Sequence, residues 1–382
     1  MIYLDNAATT PVRPEVLHAI WPVLSGTFGN ASSHHEVGDA ARNVLEDARK
    51  RTAALLGCRP AELMFTSGGT EADNAALKGI ALGRRRREPV RDRILISAIE
   101  HPAVVESADF LARMHGFAID VVPVDRHGTV DAEAFAGLLG ERTAVASVMY
   151  ANNEVGTVQD VAALAAVAHE AEVPFHSDAV QAAGSLPLNV KDLGVDALSL
   201  AGHKLGAPKG NGVLYLKART PFEPLVHGGG QQRGRRSGTE DVAGALAFAT
   251  ALELADAERR EQAGLLAQRR DRFVAAVLTA VPGAELTGHP SSRLPSSASF
   301  CFPRVAGETT LLELERRGIV CSSGSACAAG STEPSAVLSA MGYPADVALT
   351  AVRFSLGAGT TELELETTAR AVGEVMRTFM PS

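Results

Sequence analysis

From about residue 60 to 217 the chain repeats one theme, a short apolar run followed by an Ala-rich stretch with helical spacing. The runs are ELMFTS, RILISA, FAIDVVPV, AVASVMYA, VPFHSDA, DALSLAG and GVLYLK. Strands alternating with helices imply crossover connections, and crossovers produce parallel neighbours. Seven runs therefore predict an α/β fold on a mostly parallel seven-stranded sheet with helices on both faces. At 382 residues and 46% apolar content there is room for a second core.

Residues 242–280 read as one long helix, or two in succession, bridging two domains. Beyond them SSASFCF, GIVCSSGSA and AVRFSLG read as strands, SAVLSAM as a short helix and the last twenty residues as a closing helix. The expected division is a large domain over 14–250 and a small α+β domain made of 1–13 with 251–382. The net charge of −8 is modest, and the basic stretch RRRREPVRDR from Arg84 reads as a solvated loop before a strand, which argues against direct nucleic-acid binding. No basic start with a long apolar run opens the chain, and no window approaches eighteen apolar residues. The expectation is a cytoplasmic protein without a membrane segment. Cys58, Cys301, Cys321 and Cys327 form no C-x-x-C pair and have no His at zinc spacing, so neither a disulfide framework nor a metal site is expected.

Polar residues at the ends of apolar runs are the candidates for chemistry. ELMFTSGGTEADNAALKGI reads as strand, Gly-containing turn and helix, with Thr70 near the helix start and Glu71 and Asp73 in its first turn. Free backbone N–H groups at such a start can hold a phosphate, and Gly and Thr also serve there as plain capping residues. Asp178 ends the run VPFHSDA, where open α/β sheets bind ligands, and His203 and Lys204 end DALSLAG. A lysine and a carboxylate at two strand ends, facing one anion-binding helix, supply what pyridoxal phosphate (PLP) requires: a Schiff-base amine and a partner for the pyridinium nitrogen. His101 ends another strand ahead of Pro102. It reads either as a loop histidine beside a helix start or as an imidazole stacked on the cofactor and moving protons.

CSSGSACAAGSTEPS runs from Cys321 through small residues to a helix opened by Ser331 or Thr332. So little bulk predicts a mobile loop that exposes Cys327, and an exposed free thiol points to reactivity. Cys321, closing an apolar strand, is expected to be buried and inert.

With these pieces in view, the chain closely resembles the cysteine desulfurases of the NifS/IscS type, fold-type-I PLP enzymes related to aminotransferases. The resemblance rests on YLDNAATTP (3–11), FGNASSHH (28–35), FTSGGTEADN (65–74), EHPAV (100–104), NNEVGTVQD (152–160) and HSDAVQ (176–181). It continues through GHKLGAPKG (202–210), HGGGQQRGRRSGTED (227–241), SSGSACAAGSTEPS (322–335) and VRFSLG (352–357).

The resemblance implies the aspartate-aminotransferase-like fold, and PLP on Lys204. Asp178 would face the pyridinium nitrogen and Gln181 the ring oxygen, with His101 stacked on the ring. Gly69, Thr70, Gly202 and His203 would surround the phosphate, joined by Thr239 from the other subunit of a homodimer. Asn153 would lie beside cofactor and substrate, and Arg353 would clamp the carboxylate of L-cysteine. Cys327 would take the sulfur as a persulfide, leaving alanine, and pass it to an acceptor protein: an iron–sulfur scaffold or a tRNA-thiolation enzyme. No resident metal is implied, with Cys327 at most a transient iron–sulfur ligand.

Two positions depart from the family pattern. Ala201 stands where a Ser usually donates to the phosphate, and Ser199, on the same strand face, is its candidate substitute. Gln232 stands where Glu is common. A selenocysteine lyase or another aminotransferase-type enzyme, a non-catalytic sulfur carrier, and a zinc module using His34 and His35 remain alternatives.

Overall fold

The computed structural model describes residues 1–302, 304–323 and 333–379. All seven apolar runs are strands of one sheet, in the order Leu63–Thr66, Gly212–Leu216, Ala197–Ala201, Phe175–Asp178, Thr143–Ser147, Arg93–Ser97, Ala118–Val122. Four neighbouring pairs, linking the five strands from Ala197–Ala201 to Ala118–Val122, run parallel, and only Gly212–Leu216 is antiparallel to both strands beside it. That exception has a local cause: a Gly- and Pro-containing turn, rather than a crossover helix, separates it from Ala197–Ala201. Helices cover both faces, so the inner strands Thr143–Ser147, Ala197–Ala201 and Gly212–Leu216 are buried along their whole length and read as largely apolar runs.

The helix Val242–Ala280 is continuous over 39 residues. Val242 to Ala255 contribute to the core beneath the large sheet, whereas Phe273, Val274 and Val277 belong to a second core with Leu4, Phe300, Phe354 and Val372. The second core rests on a three-stranded antiparallel sheet, Ala351–Ser355, Ser297–Cys301 and Glu285–Leu286. The chain start joins it: Ile2–Tyr3 pairs parallel with Ile319–Val320, and Asp5 bridges to Ser355. Residues 7–13 then cross to the large sheet, where Thr10 N–H donates to His203 O at 3.0 Å and Arg13 N–H to Gly206 O at 2.9 Å.

Several local expectations change. Arg84–Arg87 are the last turn of the helix Gly69–Arg87, where positive charge suits the carboxyl end of the dipole. Arg84 and Arg85 reach the carbonyls of Glu172 and His115 and Arg86 the carboxylate of Glu223, so the four arginines belong to a helix and not to a loop. The short helix after the cysteine segment is Ala336–Ala340, capped by Ser335, whose Oγ accepts from Leu338 N–H. Ser331 and Thr332 lie outside the described residues. Cys321 is half-buried, and burial together with the Asp5 carboxylate pushes its thiol up to about 12, which makes it a poor nucleophile at neutral pH. Among the described residues no helix is long and apolar enough to cross a membrane.

Candidate active site

The site forms where the parallel strands end. Gly68 sits between Leu63–Thr66 and the helix Gly69–Arg87 with φ +153° and ψ −176°, backbone open essentially to glycine alone. A Cβ there would meet nothing within 4 Å, so the turn faces open space. No side chain caps the helix, and Ala72 N–H is the first to bond back, to Gly68 O. The N–H groups of Gly69, Thr70 and Glu71 precede that first bond, and Thr70 is exposed beside them. This cradle fits a phosphate. Gly69 lets it close against the sheet, since a Cβ would lie 2.7 Å from Val180 Cγ2 and 3.4 Å from Ala201 Cβ. Ala201 is buried against the cradle and offers it no donor.

Asp178 is buried, its Oδ1 accepting from Val180 N–H at 2.8 Å. Burial raises its pKa, and the fields of His101 and Lys204 pull it back down. His101 caps the helix Pro102–His115 through Nδ1, which accepts from Ala103 N–H at 3.1 Å. Burial lowers its pKa, with Lys204 adding to the effect against Asp178, so the ring is neutral at pH 7 and able to accept a proton. The three groups thus sense one another across one sheet end.

Lys204 Nζ donates to the carbonyls of Ala7 and Ala8, the latter at 2.8 Å. Gln181 Nε2 donates to the same Ala7 carbonyl at 2.9 Å. The N-terminal crossing segment is therefore a wall of the site, a role its sequence alone gave no sign of. His203 Nδ1 lies 3.2 Å from Thr9 Oγ1, and burial beside Lys204 and Lys209 pushes its ring down to about 4. Gly202 is packed so closely that a Cβ would lie 1.8 Å from Asn211 Oδ1.

Arg353 reaches in from the small sheet, 2% exposed. Its Nη1 donates to Asn153 O at 2.7 Å and its Nη2 to Asp5 Oδ1 at 2.7 Å, so among the described residues a carbonyl and a carboxylate engage this buried cation between the two cores. A cavity of about 480 Å³ reaches Lys204, Gln181, Asn153 and Ala7 along this junction. Thr239 is elsewhere, exposed in a cleft of about 200 Å³ with Thr66 and Ser67. Cys327 lies outside the described residues.

Ser199 does not stand in for the missing hydroxyl at position 201. Its Oγ lies 2.9 Å from His176 Nε2, and His176 Nδ1 lies 2.9 Å from Ser147 Oγ, all three fully buried. Burial pushes His176 down to about 3, so it is a neutral hydrogen-bonding ring. Two further buried acids surround this group. Burial, then the Asp178 charge, raises Asp73. Burial lifts Glu100 to about 8 against the hydrogen bonds of Ser97 Oγ and Met149 N–H. His35 is taken up as a helix cap, its Nδ1 accepting from Gly38 N–H, and among the described residues no cluster of three or more potential ligands could hold a metal.

The aminotransferase class-V family profile matches residues 2–367. Cysteine desulfurase IscS of Dictyoglomus turgidum is 42% identical over 100% of this chain and 96% of its own length. The IscS-like cysteine desulfurase of Mycobacterium tuberculosis is 45% identical over 96% and 94%. A solved NifS-like protein superposes with a TM-score of 0.91 at 36% identity, covering 99% of both chains. Likeness of this extent, on a chain whose strand ends carry Lys204, Asp178 and His101, means that it belongs to the class-V aminotransferase family and, within it, to the PLP-dependent cysteine desulfurases.

Proposed function

We propose that the chain binds PLP on Lys204, removes sulfur from L-cysteine to give L-alanine, and carries the sulfur as a persulfide on Cys327. One observation carries the reading: a lysine, a buried carboxylate and a neutral, half-buried imidazole lie at one sheet end beside an uncapped helix start. When bound, PLP supplies a carbonyl for Schiff-base exchange and a ring that withdraws electrons from the substrate Cα.

The protein's residues divide the remaining work. The helix start at Gly69 and Thr70, with Gly202 and His203 of the same chain and Thr239 from a second copy, would hold the phosphate. Asp178, whose charge burial disfavours, would keep a proton on the ring nitrogen, and Gln181 would hold the ring oxygen. His101 would lie against the cofactor ring, and its neutral imidazole would take the proton that Lys204 would move at Cα. Arg353 and Asn153 orient the substrate carboxylate. The Cys327 thiolate attacks the substrate sulfur: the S–S bond forms, the C–S bond breaks, and its electron pair and a proton leave the carbon as the methyl group of alanine.

The sulfur acceptor is a protein, an iron–sulfur scaffold or a tRNA-thiolation enzyme, and the working unit is a cytoplasmic homodimer. Borohydride reduction of the yellow protein followed by peptide mass analysis tests the cofactor site. Label on the Lys204 peptide is expected, and label elsewhere, or a colourless protein, contradicts the reading.

A further inference from the structure

Residues 227–241 carry Thr239 on a stretch with little regular structure, and something must fix its shape. Two consecutive non-glycine residues, Gln232 and Arg233, sit at φ +48° and +60°, in the left-handed region that side chains disfavour. Gln232 is nevertheless buried, 6% exposed, and both ends of its amide are engaged. Its Oε1 accepts from Arg49 Nη2 at 3.0 Å and from Phe65 N–H at 3.2 Å, while its Nε2 donates to Glu240 Oε1. Arg49 is itself 1% exposed and immobilised, its Nη1 on Leu63 O and its Nε on Glu46. Its approach to Glu240 is longer, 3.9 Å, so the amide of Gln232 is what ties Glu240, next to Thr239, to the buried cation.

Donor and acceptor rules leave little choice at this position. The side chain faces two donors on one side and a carboxylate on the other. A flipped amide would set its NH₂ against Arg49 and the Phe65 N–H, and a carboxylate would set an anionic oxygen against Glu240. Only the amide, in the orientation found, satisfies both sides.

We propose that Gln232 is a positioning residue, matched to Glu240, that holds the 227–241 segment in the shape that presents Thr239 to the cofactor phosphate of a second copy. The inference rests on the reading of Thr239 given above.

The test uses the PLP-loaded protein with Q232E, the exchanged pair Q232E/E240Q, and T239A, reading cofactor loss on prolonged dialysis and the thermal midpoint. Q232E is expected to lose PLP about tenfold faster than the parent, the scale of one charge-assisted hydrogen bond lost. The exchanged pair puts a carboxylate before Arg49 and an amide donor at 240, and is expected to return both readings to those of the parent. Should Q232E fail to fold, a folded, PLP-retaining exchanged pair carries the same result. A Q232E variant that keeps PLP as the parent does, or an exchanged pair as impaired as the single change, overturns the proposal. If T239A keeps PLP like the parent, the reading of Thr239 fails and the proposal fails with it. If T239A loses PLP and Q232E does not, the proposal alone fails.

Discussion

Ala201 stands against the helix start proposed to hold the cofactor phosphate and offers it no hydroxyl. Its methyl group faces the helix start at Gly69, and Ser199 is committed to His176, so no neighbour on that strand replaces the donor. Restoring it should strengthen retention: Ala201→Ser is expected to slow PLP loss on dialysis about tenfold or more, the value of a hydrogen bond to a charged group. Equal loss rates would show that the cradle needs nothing from position 201. Glu100 offers a second test through pH. Its folded-state pKa of about 8 lies above the ordinary 4.5, so between those values the folded protein keeps a proton that the unfolded chain has released. That contribution is complete below pH 4.5 and is lost as pH rises toward 8, at up to about 1.4 kcal/mol per unit. Glu100→Gln keeps an oxygen for Ser97 and the Met149 N–H but does not titrate. Urea midpoints of the variant should therefore gain on the parent from pH 5 to pH 8, and parallel curves would refute the assignment.

At the scale of elements, the turn between Leu63–Thr66 and the helix Gly69–Arg87 stores the constraint. Gly68→Ala meets no atom within 4 Å, yet its φ of +153° is closed to alanine, so a cost of about 1–3 kcal/mol is expected from backbone conformation alone. Gly137, in the helix Ala132–Leu138 and equally uncrowded, is the control: Ala there should stabilise slightly, by up to about 1 kcal/mol. Urea midpoints for the pair check this, and similar effects at both positions would contradict it. The large-sheet elements were legible because most of their strands are apolar and largely buried, as in Thr143–Ser147, Ala197–Ala201 and Gly212–Leu216, and the polar residues that break the runs at their ends, Asp178, His203 and Lys204, stand out. The helices Pro14–Gly26, Glu36–Leu56 and Gly307–Arg316 were not anticipated. Arg84–Arg87 looked like loop because a run of one charge hides helical periodicity, although the helix simply continues through them. Contacts made only by tertiary folding left no trace in the sequence: Arg353 with Asp5, 348 residues apart, and Arg49 with Gln232, 183 apart.

Across the whole molecule, two cores meet on one continuous helix, and the site lies between them. The cofactor residues come from the large sheet, Arg353 from the small one, and the crossing segment 7–13 closes over Lys204. Under the proposed function, the residues on the large sheet would hold the cofactor, while Arg353 on the small sheet would bring the substrate clamp. The central claim joins the two: chemistry at Lys204 must end as sulfur on Cys327. It is tested most directly by incubating the PLP-loaded protein with L-cysteine in the absence of reductant, then measuring alanine and the mass of the peptide containing Cys327. One sulfur added to that peptide with an equal amount of alanine, and neither product in Lys204→Ala, is the result expected. Alanine formed at the full rate by Cys327→Ala, or sulfur carried on Cys58, Cys301 or Cys321 instead, would contradict it.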